Sequence, residues 1–195
     1  LFRDAARICY ENRISLSATG FYKTPKIFWD RIKGLGRPFY YFAYGVAVSE
    51  VIIDTLTGEN KLLRADILHD VGASLNPAID SGQIEGGYIQ GVGWLTTEEL
   101  HWSEEGKLTT HAPSTYKIPV ASDRPRIFNV ALWKNKNTEN TIFKSKAVGE
   151  PPLMLGISAL MALSDAASFC GRTYPNLNSP ATHERLFWAC ERAKK

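Results

Sequence analysis

The sequence predicts a mixed α+β fold, a sheet with packed helices, in a single unit spanning residues 1–195. Three observations carry this. A run rich in β-branched and aromatic residues, 39–54, and a partly alternating one, 61–71, flank the turn signal Thr57-Gly58-Glu59-Asn60 and read as a hairpin. The apolar stretch 153–169 (LMLGISALMALSDAASF) reads as a buried helix. Strands and helices then alternate with no repeat and no low-complexity linker between them. At 44% hydrophobic residues over 195 positions, there is enough apolar material for a sizeable core.

Taken in order, residues 1–13 (LFRDAARICYENR) read as a helix with Phe2, Ala5, Ala6, Cys9 and Tyr10 on one stripe. The chain starts without methionine and with this helix already under way, which suggests a piece of something longer. In the second strand, Leu63, Ala65 and Ile67 partly alternate in character with the residues between them. Residues 76–100 read as a helix begun by Asn76-Pro77, although five glycines would weaken it. Gly82, Gly86 and Gly93 recur near helical spacing, so another backbone or a ligand is expected to approach that face. Beyond it come a hairpin through Ser103-Glu104-Glu105-Gly106, a strand at 127–133 and a solvated turn at 134–140. A cap signal, Ser179 as N-cap with Pro180 at the first helical position, is expected ahead of the last helix, which Thr182-His183-Glu184 opens.

Composition excludes several classes of function. The 23 basic and 20 acidic residues are interspersed along the whole length, so no face is reserved for nucleic acid or a membrane surface. Cys9, Cys170 and Cys190 are odd in number and form no CxxC pair, which argues against a disulfide framework and for a reducing, cytoplasmic compartment. No apolar run reaches the roughly 18 residues of a membrane span. The four histidines lack metal-ligand spacing, so no protein-ligated metal is expected. Phosphate-binding and nucleophile-elbow motifs are missing as well.

Two places could carry chemistry. Glu150 stands between Gly149 and the Pro151-Pro152 pair at the mouth of the most apolar helix, where the positive helix end favours a carboxylate. On spacing alone it is either a general base or a simple helix cap. Gln83 and Gln90 lie seven residues apart on one helical face among small residues. Their amides can both donate and accept, so they could orient a ligand, or they could be satisfied by the backbone.

The run 146–153 (KAVGEPPL) resembles the signature of the molybdenum hydroxylases. So do, in the order found in xanthine dehydrogenases, SLSATGFY at 15–22, DTLTG at 54–58, DVGASLNPAIDSGQIEGGYIQGVG at 70–93, PSTYKIP at 113–119 and SPAT at 179–182. The resemblance spans nearly the whole chain. It implies the C-terminal subdomain of the molybdopterin-binding region, in which molybdenum is carried by a pterin dithiolene without a protein ligand. Glu150 is then the catalytic base in hydroxylating a purine, hypoxanthine to xanthine to urate, and Gln83 and Gly149 are cofactor-binding neighbours. It implies further that the iron–sulfur clusters (2Fe-2S), FAD and NAD bind outside this chain, that the remaining molybdenum-domain, flavin and iron–sulfur parts are its partners, and that complete units dimerise. An aldehyde oxidase-type hydroxylase and a non-catalytic assembly module of the same fold are the alternatives.

Overall fold

The computed structural model describes residues 1–195, and the chain packs as two units, Leu1–Tyr40 and Tyr41–Lys195. No shift in composition marks that division.

In the smaller unit, helix α1 (Phe2–Glu11) is shorter than the expected helix by its last two residues and buries no side chain. The apolar stripe faces outward, with Phe2 and Tyr10 both largely exposed. A short antiparallel hairpin comes next, β1 (Phe28–Asp30) with β2 (Leu35–Arg37), pairing Trp29 with Gly36. No strand is expected here from the sequence, because three-residue strands are too short to show periodicity.

The larger unit is built on a three-stranded sheet in the order β3 (Gly45–Ile53), β4 (Asn60–His69), β5 (Ile127–Leu132). The expected hairpin is present. Asp54 closes it, accepting from Gly58 N–H through its backbone carbonyl at 2.8 Å and from Leu56 N–H through its side chain at 2.8 Å. A bulge between Glu50 and Val51 leaves Leu63 as the extra residue of β4, so that Leu62 and Ala65 both turn inward. That bulge is why simple alternation through Leu63 fails. Strand β5 joins β4 in parallel, which requires a long crossover, and helix α2 (Pro77–Thr96) lies within it.

One face of the sheet carries the core. Leu62, Ala65, Ile67 and Val71 pack with Ile84 and Tyr88 of α2 and with Ala159 of α3 (Ile157–Ser168). The Tyr88 hydroxyl would be unpaired at that depth, but Ser49 Oγ meets it at 2.7 Å and in turn meets Ser158 Oγ at 2.6 Å. This polar triangle ties strand, α2 and α3 together. Helix α4 (His183–Ala193) adds Leu186, Ala189 and Cys190 to two further clusters with α3. No helix is long and apolar enough to cross a membrane.

Three local expectations are corrected. The apolar helix opens as a 3₁₀ turn over Pro151–Gly156 before α3 begins. The cap of α4 is Thr182, which accepts from Arg185 N–H at 3.4 Å; Ser179–Ala181 lie outside the helix, with Ala181 N–H bonded to Leu95 carbonyl at 2.7 Å. The turn 134–140 is only partly solvated, since Asn137 is buried and its side chain bonds Thr141 Oγ1, Ser145 carbonyl and Glu139 N–H.

The glycines of α2 are also redistributed. Gly82 and Gly86 face open space, and Gly93 abuts Glu98 and Pro119. The close backbone approach falls instead on Gly87 and Gly91, which lie against Pro152, Leu153 and Gly156. A methyl group on Gly91 would overlap the Leu153 carbonyl oxygen. Gly91→Ala is therefore expected to destabilise the protein by about 1–3 kcal/mol, the range for overpacking. Gly82→Ala should stabilise it by about 0.5–1 kcal/mol through helix propensity. Thermal unfolding of the two variants checks this, and shifts of the same sign would contradict the packing described.

Candidate functional site

The site residues sit on a strap, 144–150, that crosses from the end of the sheet to the start of the 3₁₀ turn. Its root is stitched to the chain leaving β4. Ala73 N–H donates to Lys144 carbonyl at 2.9 Å, Gly72 and Ser145 form an antiparallel bridge, and Lys146 N–H donates to Val71 carbonyl at 2.8 Å. Ala147 N–H then reaches the Tyr41 hydroxyl at 2.9 Å.

Beneath the strap lies an ion pair that motif reading overlooked. Lys146 Nζ meets Asp70 Oδ2 at 2.6 Å, with each side chain only 8% exposed. Lys146 also donates to Phe42 carbonyl at 2.9 Å and lies over the Tyr44 ring, while Asp70 Oδ1 accepts from Gly72 N–H at 2.8 Å. The sequence signal was available: Asp70 closes a strand and Lys146 opens the specific motif. Their pairing across 76 positions is nonetheless a tertiary fact.

Glu150 is exposed, and its carboxylate makes no hydrogen bond or ion pair within the chain. It is not a side-chain cap: the first turn is held by Leu153 N–H donating to Glu150 backbone carbonyl at 3.1 Å. Pro151 and Pro152 have no N–H, so of the amides that a capping carboxylate would seek only that of Leu153 is present, and it is already engaged.

Gln83 is brought beside this strap. A Cβ placed on Gly149 would stand 3.2 Å from Gln83 Oε1, and one placed on Gly87 would stand 3.4 Å from Gly149 carbonyl. The Gln83 amide is exposed and has no partner of its own. Gly82 and Gly86 flank it with bare, open backbone. Gln90 is exposed farther along the same helix, and nothing in the structure joins it to the strap.

Gln83 and Gly149 thus adjoin at one exposed place, and Glu150, also exposed, follows Gly149 in the strap. They do not line the cleft of about 470 Å³ at the strap's root, whose walls include Tyr44, Val46, Leu68, Asp70, Trp133 and Lys146. No three His, Cys, Asp or Glu side chains gather as a metal site. Chemically, the open surface offers a free carboxylate, a free amide and a backbone strip that a flat polar group can approach closely.

Residues 1–125 match the molybdopterin cofactor-binding domain family. The chain belongs to that family. The match includes Gln83, while Gly149 and Glu150 lie beyond it. Xanthine dehydrogenase/oxidase of Felis catus is 50% identical over 97% of this chain, and aldehyde oxidase 2 of Rattus norvegicus is 48% identical over 97%. The chain spans only 15% and 14% of the length of these two relatives. Among solved structures, aldehyde oxidoreductase from Desulfovibrio gigas superposes with a TM-score of 0.74 at 24% identity, covering 95% of this chain and 20% of that one. The mixed helix and sheet architecture is therefore that of a molybdopterin-binding domain, and the group the family binds is the molybdenum cofactor.

One buried group at the strap's root makes stability depend on pH. His69 is 1% exposed, and its Nδ1 is the single buried side-chain polar atom without a partner. Burial holds its pKa below the ordinary imidazole value, with adjacent Lys146 pressing the same way against the raising effect of Asp70. The unfolded chain then takes up the proton first as pH falls through about 6.5. Stability contributed by neutral His69 is present above that pH and is lost below it, by up to about 1.4 kcal/mol per pH unit, until the folded pKa is passed. His69→Leu should flatten the acid side of a stability-versus-pH curve; an unchanged slope would remove His69 as a cause.

Proposed function

We propose that this chain supplies the general base and part of the cofactor wall of a molybdenum hydroxylase acting on purines. The observation that carries the reading is the free, exposed Glu150 carboxylate, which follows a hydrogen-bonded strap and opens a packed 3₁₀ turn, next in the chain to Gly149, against which the unpartnered Gln83 amide lies. A non-catalytic module would have no need of an unpaired carboxylate at so constrained a position.

The surface fits the cofactor by its donor set. Gln83 would hold it through its amide, and Gly149, with Gly82 and Gly86, would let it approach the backbone without a side chain intervening. When bound, the molybdenum cofactor supplies the two-electron redox chemistry of hydroxylation, in which a ring C–H and water become C–OH, two protons and two electrons. Glu150 takes up one of those protons. Closure of the surface by the rest of the enzyme would exclude water and strengthen every polar contact there.

On this reading residues 1–195 are the C-terminal portion of the molybdenum-cofactor region. The remaining molybdenum, flavin and iron–sulfur parts are its partners, complete units pair as dimers, and the enzyme works in the cytoplasm. The purine preference is supported by the run of motifs ordered as in xanthine dehydrogenases and by 50% identity to the cat protein. The 48% identity to a rat aldehyde oxidase supports a second reading, the same base acting on aldehydes.

Turnover of xanthine and of an aldehyde by the complete enzyme, natural against Glu150→Gln, separates these readings. Glu150→Gln keeps the shape and removes the base, so turnover should fall by about 10²–10⁴-fold at unchanged molybdenum content. Full activity in that variant would reduce Glu150 to a structural residue. Oxidation of the aldehyde alone would move the substrate to the second class.

A further inference from the structure

We infer that the buried Lys146–Asp70 ion pair positions Glu150 for proton transfer, acting through the strap and not on the substrate. The inference rests on Glu150 being the base. A buried ion pair gives little net stability, because desolvating both charges offsets their attraction. Direction is what it can supply. Lys146 Nζ is aimed by Asp70 Oδ2, the Phe42 carbonyl and the Tyr44 ring together, and Asp70 is aimed by Gly72 N–H. The cation therefore has one seat, and Lys146 can occupy it in one register of the strap only.

The short stretch from Lys146 to Glu150 makes that register matter. Lys146 and Ala147 are the last residues before Glu150 held by hydrogen bonds, through Val71 carbonyl and the Tyr41 hydroxyl. Neither Val148 nor Gly149 makes one. The next fixed point is Leu153 N–H on Glu150 carbonyl, where the 3₁₀ turn lies against Gly87 and Gly91. Glu150 thus hangs between two anchors with a glycine beside it and no contact of its own. A shift at the first anchor passes directly to its carboxylate, and a displacement of about 1 Å at a reacting group can cost about 10²-fold in rate.

The test uses the complete enzyme with Lys146→Met, alone and combined with Glu150→Gln. We expect kcat per bound molybdenum to fall by about 10²-fold with KM little changed. Hydrogen exchange at the Lys146 and Ala147 amides should quicken, a change readable without turnover. In the Glu150→Gln background Lys146→Met should add little, because both act through one carboxylate. Lower thermal stability with kcat per molybdenum unchanged would overturn the proposal, as would an equal fold-loss in both backgrounds. Should Lys146→Met fail to accumulate folded, Asp70→Asn removes the charge, keeps the acceptor for Gly72 N–H and reads the same quantities. Full turnover by Glu150→Gln alone would instead refute the base assignment on which the proposal stands.

Discussion

Helix α2 and the 3₁₀ turn meet backbone to backbone. At Gly156 a Cβ would lie 2.6 Å from the carbonyl carbon of Gly91, and at Gly87 it would lie 3.1 Å from Pro152 Cβ. Such an approach is open only to glycine on both sides. It sets where Pro151–Gly156 begins, and so where Glu150 stands relative to Gln83. It also holds α3 over the sheet, because the turn runs straight into that helix. The cost falls on α2, where five glycines lower helix propensity. Burial of Ile84 and Tyr88 and the cap at Asn76, which accepts from Ile79 N–H, offset that loss.

The polar groups that this packing buries fall into two kinds. Ser49, Tyr88 and Ser158 satisfy one another in a closed triangle, which fixes the helices against the sheet and leaves no orphan. At the strap's root the arrangement is less favourable, with a buried ion pair next to an imidazole whose Nδ1 has no partner. Unsatisfied or charged groups at that depth work against stability. Both occur where β4 ends and the strap begins, beside the site and away from the main core.

Local chemistry was legible in the sequence, and long-range register was not. The β3–β4 hairpin, α2 with its Asn76 cap and β5 can be read from period, turn residues and caps, and the motif run pointed to the right family. In the 1–40 unit the helix was legible from its period, but β1, β2 and the unit's boundary were not, because strands of three residues and a helix with no buried face carry no tertiary signal. Ser179-Pro180 looked like a helix start since the cap rules see only neighbours, whereas the Ala181 bond to Leu95 spans the fold. The glycines were noticed, but the close backbone approach was not placed: spacing showed Gly82, Gly86 and Gly93, while backbone contact falls on Gly87 and Gly91 and leaves Gly82 and Gly86 open. At the candidate site, the proximity of Gln83 to Gly149 was reached by resemblance. No periodicity argument could have joined residues so far apart in the chain.

Nearly equal identity to a xanthine dehydrogenase/oxidase and to an aldehyde oxidase constrains what these residues can do. On the proposed function, a segment about equally similar to both serves what the two kinds of enzyme share. On the proposed function a base, an amide and a bare backbone strip meet that description, since each would address the cofactor or the transferred proton and none would tell a purine from an aldehyde. Discrimination needs shaped apolar walls and paired polar groups around the ligand. The open surface bearing Glu150 has neither, so on the proposed function specificity belongs to whatever covers it, and this chain's task is to hold one carboxylate still.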